Sequence, residues 1–279
     1  MDHYCVLGNP VEHSRSPAIH ARFAELTGQA MDYSRLLAPL ERFPDTLQQW
    51  IASGASGCNV TVPFKFEAFR SASTATERAQ LAQAANTLKF SGGNIEADNT
   101  DGIGLVRDIQ NNAGLSLAGR DLLLLGAGGA AAGVLGPLLA TGPRRLVLVN
   151  RTHERAVELV ARHARQPSLA KLLQKTELHA QELQGLTANF DVVINATASS
   201  LSGTTVTLKP GLFKPGALAY DMMYGAAAQG FMNMALAHGA APRDGLGMLV
   251  EQAAEAFLFW RGVRPPSAQV LKELRRAMP

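Results

Sequence analysis

The stretch LLLLGAGGAAAG, Leu122 to Gly133, sets Gly126, Gly128 and Gly129 between a run of leucines and an alanine-rich segment. Glycines after a strand let backbone N–H groups approach a diphosphate, and the helix start that follows adds partial positive charge. The spacing is G-x-G-G-x-A, with Ala131 where close packing of helix on sheet needs a small residue. Taken alone, the same stretch fits an Ala/Gly helix packed tightly on a sheet. Some 24 positions after Gly126, where a dinucleotide unit carries its ribose-reading acid, stands Asn150, followed by Arg151, Thr152 and Arg155. A carboxylate there would repel a 2′-phosphate, whereas a guanidinium offers it forked donors. Arg151 and Arg155 are four apart and share one face of a helix start. The alternative is a solvated basic helix start; with the glycine turn before it, the pattern points to NADP.

A second set of polar residues lies in the first third. GNPVEHSRSP holds Ser14 and Ser16, NVTVPFK holds Asn59, Thr61 and Lys65, and NTLKF…ADNTDG holds Asn86, Asn99 and Asp101. Singly each has an ordinary reading. Ser16 fits a helix N-cap, Asp101 before Gly102 a helix cap, and Lys65 a solvated first-turn lysine. Together they fall at predicted strand ends, where open α/β sheets bind ligands.

The elements that must position these residues alternate. HYCVLG (3–8) reads as a strand, then SPAIHARFAELTG as a helix with Pro17 at its start and Gly28 at its stop. MDYSRLLA is a second strand, LERFPDTLQQWIASG a helix started by Pro44, and GCNVTV a third strand broken by Pro63. Short helices are expected over 64–70 and 75–84, and NTLKF, SGG and NIEAD form a hairpin. A connecting helix is expected over 103–112. Strands then alternate with Ala-rich helices at 121–125, 129–140, 145–150, 153–163, 176–179, 190–195 and 217–222, the pattern of a doubly wound parallel sheet. Helices over 246–262 and 267–277 close the chain.

Composition narrows the partners. The chain has 279 residues, 47% hydrophobic and 18% charged, with a formal net charge of +3. That length predicts two domains. No dense basic run argues for nucleic acid, and no apolar run approaches the ~20 residues that span a bilayer. The N-terminus lacks a secretory pattern, Cys5 and Cys58 read as buried free thiols of a reducing compartment, and the expected location is the cytoplasm. The seven histidines show no metal-ligand spacing, so no metal is expected. The partner is a small molecule, and a homodimer is carried as an expectation.

Taken in order, GNPVEHSRSP, NVTVPFK, ANTL, DNTDG, GAGGAA, NRT, NAT, DMMY and DGLGMLVEQAAEAF resemble the shikimate dehydrogenase family nearly end to end. The resemblance implies an α/β fold of two domains with a cleft between them. Residues 1–101 with 249–279 would form the substrate domain, with a mainly parallel sheet, and 102–248 the Rossmann-like NADP domain. It implies reversible reduction of 3-dehydroshikimate to shikimate with NADPH, in aromatic amino-acid biosynthesis. By resemblance, Ser14 and Ser16 hold the substrate carboxylate with help from Tyr224, and Thr61, Asn86, Asp101 and Gln252 read the ring hydroxyls. Lys65 and Asp101 are the catalytic pair. Glu77, Gly126, Ala127, Gly128, Gly129, Ala130, Asn150, Arg151, Thr152, Arg155, Met222 and Gly245 line the NADP site, with Met248 a weaker candidate near the nicotinamide.

The chemistry agrees with that pairing. Carbonyl reduction puts a hydride on carbon and a proton on oxygen, and an ammonium can give that proton. A first-turn position favours a neutral lysine and a nearby Asp101 favours a charged one; the sequence leaves both open. NATASS and the following LSGTTVTLKP depart from the family pattern, as does YGAAAQGF after Tyr224. Two rivals are a quinate or dual quinate/shikimate dehydrogenase and a non-catalytic NADPH-binding relative. The Ser14/Ser16 pair and the Asn-Arg-Thr ending weigh against the first, the intact Lys65 and Asp101 against the second.

Overall fold

The computed structural model describes residues 1–197, 206–209 and 211–277. Most of the loop that departs from the family pattern, 198–205 and 210, lies outside the described residues. The chain forms two compact units, one of Met1–Arg107 with the segment from Leu249 onward, the other of Asp108–Met248. The break falls after Arg107 rather than at 101. The connecting helix divides there: α5 (Asp101–Arg107) ends in a π-helical turn, Asp108–Asn112.

The first unit is built on a six-stranded sheet in the order β2-β1-β3-β5-β6-β4. Strand β1 (Asp2–Gly8) is buried from Tyr4 onward and β3 (Gly57–Val60) throughout, Asn59 included, and β2 (Met31–Leu37) lies outside β1. The β1–β2, β1–β3 and β4–β6 pairs are parallel. The expected hairpin, β5 (Thr87–Ser91) and β6 (Asn94–Asp98), adds two antiparallel pairs. It turns on Gly92 and Gly93 at φ +57° and +80°, values L-residues rarely adopt. Cys5 and Cys58 face each other in register and are both free and buried.

Helix α1 (Ser16–Thr27) begins one residue earlier than a Ser16 cap requires. Arg15 takes the cap position without a side-chain bond, and the Ser14 hydroxyl accepts the Ser16 N–H at 3.2 Å instead. Gly28 ends the helix at φ +66°. Helix α2 (Phe43–Ala52) carries Pro44 in its first turn. Helix α3 (Lys65–Arg70) follows β3, and α4 starts at Glu77 and ends at Ala82. The helix expected over 75–84 starts later because Ala75 pairs in a two-residue strand, β4 (Thr74–Ala75), and Thr76 is the helix cap.

The second unit has a wholly parallel sheet in the order β12-β11-β10-β7-β8-β9. Its strands are β7 (Asp121–Leu125), β8 (Arg145–Val149), β9 (Glu177–Ala180), β10 (Phe190–Asn195), β11 (Phe213–Asp221) and β12 (Ala241–Arg243). Counted within the unit this is the doubly wound 3-2-1-4-5-6 order, whose reversal between β7 and β10 is where such sheets bind ligands. Helices α6 (Gly129–Ala140) and α7 (His153–Ala164) connect β7 to β8 and β8 to β9. Helices α8 (Ala170–Leu173) and α9 (Gln229–Ala237) and strand β12 lie where the alternating pattern predicts no element.

The tail consists of α10 (Leu246–Arg261) and α11 (Ser267–Ala277). Trp260 of α10 stacks on Tyr4 at 4.5 Å and donates its indole N–H to the Leu88 carbonyl at 3.0 Å. A Cβ on Gly57 would lie 2.5 Å from that carbonyl and 2.9 Å from Trp260 Nε1, so glycine is what lets the indole seat on the sheet. Arg22 of α1 grips Glu273 of α11 through two nitrogens, at 2.9 and 3.0 Å. Among the described residues no helix is long and apolar enough to cross a membrane, and no cluster of His, Cys, Asp and Glu could hold a metal.

Candidate active site and glycine turn

In the first unit, Lys65 and Asp101 each open a short helix, α3 and α5. Their side chains are 14% and 7% exposed, and Lys65 Nζ donates to Asp101 Oδ2 at 2.5 Å. The other carboxylate oxygen accepts from Asn86 Nδ2 at 2.9 Å. Asn86 Nδ2 also lies 2.9 Å from Thr100 Oγ1 and 3.1 Å from Gln252 Oε1. Asn86 Oδ1 accepts the Thr100 N–H at 2.8 Å. Asn99 fixes the turn between β6 and α5: its oxygen takes the Asp101 N–H at 3.2 Å and its amide donates to the Ala84 carbonyl at 2.9 Å. Asp98 is gripped by Arg78 and accepts from Thr76, and its Oδ1 accepts the Asn99 N–H. The DNTDG turn is therefore held on both sides, and its aspartate meets the lysine from one fixed direction.

Lys65, Asn86, Asp101 and Gln252 are thus brought into one hydrogen-bonded group. Thr61 sits just beyond β3, its N–H bonded to the Leu7 carbonyl at 2.9 Å. Its methyl fills the space over Gly8, where a Cβ would fall 2.2 Å from Thr61 Cγ2. Ser14 and Ser16 form their own turn after β1, and Arg35 of β2 donates to the Ser14 carbonyl. Tyr224 belongs to the second unit, at the start of a 3-10 turn, Gly225–Ala228. Glu77 is exposed on α4 of the first unit, whereas the other NADP candidates belong to the second.

The sequence pattern assigns no role to Tyr33, Arg35, Thr87, Asp98 and Thr100, which touch these groups. Thr87, Asp98 and Thr100 each adjoin a singled-out residue in sequence. Tyr33 and Arg35 carry no local signal, because their partners lie on other strands and turns.

In the second unit, Gly126 follows β7 at φ +110°. A Cβ there would approach the Ala196 carbonyl oxygen to 3.0 Å, at the β7/β10 switch point. Gly128 holds the cap position of α6, and a Cβ on it would meet no atom of the described residues within 4 Å. Among the described residues the turn is therefore closed toward the sheet and open outward, as a passing diphosphate requires. At the end of β8, Asn150 Nδ2 donates to the Thr152 carbonyl at 2.8 Å, and Thr152 is the cap residue of α7. Arg151 and Arg155 are exposed, and among the described residues neither is paired with a carboxylate. These residues fit a nucleotide with a 2′-phosphate.

Gly245 lies against the turn after β11: a Cβ on it would come within 2.3 Å of the Met222 carbonyl oxygen. Buried Asp221 accepts the Met223 N–H at 2.8 Å and Asn195 Nδ2 at 3.0 Å, which fixes the turn carrying Met222. Burial pushes the Asp221 carboxyl up to about 6. Met248 is buried in the same unit.

A parallel sheet with a glycine turn at its switch point, and a second α/β unit with a lysine–aspartate pair, define an α/β oxidoreductase that uses a dinucleotide. Comparison with known proteins narrows the class. Residues 6–88 match the shikimate dehydrogenase substrate binding domain, 108–207 the shikimate / quinate 5-dehydrogenase family, and 245–275 the shikimate 5'-dehydrogenase C-terminal domain. The chain is 64% identical to shikimate dehydrogenase (NADP(+)) of an Acidovorax species, over 99% of this chain and 97% of that one. It is 55% identical to the protein of the same name from a Janthinobacterium species, over 98% and 97%. A solved shikimate 5-dehydrogenase from Thermus Thermophilus, in complex with NADP(H) and shikimate, superposes with a TM-score of 0.84 at 31% identity, covering 100% of both chains. The chain belongs to the shikimate dehydrogenase family.

Proposed function

We propose that this protein catalyses the reversible, NADPH-dependent reduction of 3-dehydroshikimate to shikimate, on the route to chorismate and the aromatic amino acids. The observation that supports it most directly is the 2.5 Å contact between Lys65 and Asp101, with Asn86 and Gln252 joined to it. Reduction of a ring ketone adds a hydride at carbon and a proton at oxygen. NADPH supplies the hydride when bound. Lys65 Nζ hydrogen-bonds the ketone oxygen and releases its proton to the forming alkoxide. In the reverse direction the neutral amine takes the hydroxyl proton. Asp101 orients Lys65 through Oδ2 and is itself fixed through Oδ1 by Asn86.

In this reading Ser14 and Ser16, with Tyr224, bind the substrate carboxylate, and Thr61, Asn86, Asp101 and Gln252 read the ring hydroxyls. Gly126 to Ala130 take the diphosphate, Asn150 to Thr152 with Arg155 the 2′-phosphate, and Glu77, Met222, Gly245 and Met248 the remainder of the cofactor. A homodimer acting in the cytoplasm completes the proposal; the free thiols of Cys5 and Cys58 support a reducing compartment, and light scattering tests the dimer.

The test is formation of reduced nicotinamide by purified protein with shikimate or quinate, each against NADP or NAD. Shikimate with NADP far ahead of the other three is the expected outcome. Equal rates with quinate would move the protein to the dual-specificity branch, and equal rates with NAD would remove the phosphate role of Arg151.

A further inference from the structure

Behind Asp101 runs a line of buried hydrogen bonds whose polarity can be read from backbone groups. Asn86 Oδ1 faces the Thr100 N–H at 2.8 Å, a group that only donates, so the oxygen assignment is forced and Nδ2 must face Asp101. Asn59 is fixed the same way: its Nδ2 faces the Asn86 carbonyl at 3.1 Å, which only accepts. The same Nδ2 donates to Thr87 Oγ1 at 3.1 Å. The Thr87 hydroxyl, having accepted there, gives its own proton to Asn86 Oδ1 at 3.0 Å. At the far end Asn59 Oδ1 leaves Tyr33 Oη no choice but to donate, at 2.7 Å. Every donor in the line Tyr33, Asn59, Thr87, Asn86 points toward the Asp101 carboxylate.

We propose that Tyr33, Asn59 and Thr87 are positioning residues that set the aim and donor strength of Asn86 Nδ2 on Asp101, and through Asp101 the position of Lys65. Hydrogen bonds aligned head to tail polarise one another, most in a low-dielectric interior. Asn59, Thr87, Asn86 and Asp101 are all buried. Tyr33 is itself clamped, its ring stacked on His20 at 4.2 Å and 6° between planes. The line starts on β2, whose Arg35, two residues along from Tyr33, donates to the Ser14 carbonyl at 2.7 Å, so it runs from the strand that holds the turn assigned to the substrate carboxylate to the group that moves the proton. The kinetic half of this inference rests on the function proposed above; the hydrogen-bond half does not.

Thr87→Val keeps the shape and removes the hydroxyl, Thr87→Ser restores it, and Tyr33→Phe cuts the line at its start. Thr87→Val is expected to lower kcat for shikimate oxidation about tenfold or more and to leave KM within about threefold. The primary deuterium isotope effect on kcat is expected to rise, with Thr87→Ser close to wild type and Tyr33→Phe between. Loss of folded protein would lower apparent kcat without touching the isotope effect. The second readout needs no substrate: hydrogen exchange of the Asn86 Nδ2 protons in ligand-free protein, expected to quicken about tenfold in Thr87→Val and to recover in Thr87→Ser. If Thr87→Val does not fold, Tyr33→Phe carries both readouts. Unchanged exchange overturns the relay. Changed exchange with kcat and isotope effect unchanged overturns its catalytic role. A wild-type protein inactive on shikimate would instead sink the proposed function, and the exchange result would still decide the relay.

Discussion

Arg35 holds the backbone carbonyl of Ser14 through two nitrogens of one guanidinium, Nε at 3.2 Å and Nη2 at 2.7 Å. The grip joins strand β2 to the turn that carries Ser14 and Ser16, and it brings a fixed positive charge to the pair assigned to a carboxylate. Because Arg35 is exposed, solvent screens that charge and the expected effect is modest. Arg35→Met should raise KM for shikimate by about three- to tenfold with kcat nearly unchanged, the pattern of lost uniform binding. Steady-state kinetics at two salt concentrations check it; a fall in kcat with constant KM would give Arg35 a different part.

Lys65→Ala should reduce turnover by about 10²–10⁴-fold, the ordinary worth of a positioned proton donor, while shikimate still binds. Calorimetry supplies the binding half of the test and reduced-nicotinamide absorbance the other. Near-normal turnover would remove Lys65 from the chemistry. Asp101→Asn should act in the same direction, because the charge is lost and its single acceptor oxygen can serve Lys65 only by turning its NH2 against the donor Asn86 Nδ2.

The exposed guanidiniums at the end of β8 predict how the cofactor is discriminated. Arg151→Ala should weaken NADP by roughly tenfold or more and change NAD little, since a charge-assisted bond to phosphate is worth about 1.5–3 kcal/mol. The Arg151→Ala/Arg155→Ala pair should narrow the preference further. Measured kcat/KM for both cofactors decides; equal losses with NADP and NAD would show that the arginines read something other than the 2′-phosphate.

His20 is buried, packed among Tyr33, Phe23, Phe257 and Trp260. Burial pulls its pKa down to about 3, from the ordinary 6.5 it keeps when unfolded. Between those values the unfolded chain binds the extra proton, so stability is complete above 6.5 and is lost as pH falls toward 3. His163, lowered by burial to about 4, acts in the same sense, whereas Asp221, raised by burial to about 6, loses stability as pH rises from 3.8. The difference between two proteins isolates one group. His20→Phe, which keeps the stack, should lose about 2 kcal/mol less than wild type between pH 7.5 and pH 5. Parallel urea curves at both pH values read it, and identical losses would show that His20 is protonated in the fold.

Much of this fold is written locally. The four-residue aliphatic runs of β7 and β8, the glycine turn after β7 and the Gly92-Gly93 hairpin are each legible because the residues that fix them are neighbours. Strand β12 was hidden by Pro242, which a ladder tolerates here because β12 is the sheet edge. Strand β4 is two residues long, too short for any periodicity. Ser16 shows how a cap can be misplaced by one residue when the hydroxyl two positions earlier does the capping. The catalytic-site candidates could be recognised as separate motifs, but the bonds that join Asn86 to Gln252, 166 positions away, or Tyr33 to Asn59 depend on the sheet order and leave no local trace.

Asp108 shows what such a long-range contact contributes to the second unit. It is fully buried and receives Arg243 through Nε at 2.8 Å and Nη2 at 2.6 Å, Tyr220 Oη at 2.8 Å and Asn112 Nδ2 at 2.9 Å. The fit is so close that a Cβ on Gly247 would fall 1.8 Å from Asp108 Oδ1. Removing one member of a buried ion pair strands the other, at about 3–5 kcal/mol, while removing both at once costs less. Arg243→Met should therefore destabilise the protein by that amount, and Asp108→Asn combined with Arg243→Met should recover part of the loss. Gly247→Ala should be nearly as harmful as Arg243→Met, because its methyl would meet the carboxylate itself. Denaturant unfolding of the four proteins checks all three statements; a double variant no better than the single would mean that Asp108 is satisfied by Tyr220 and Asn112 without its arginine.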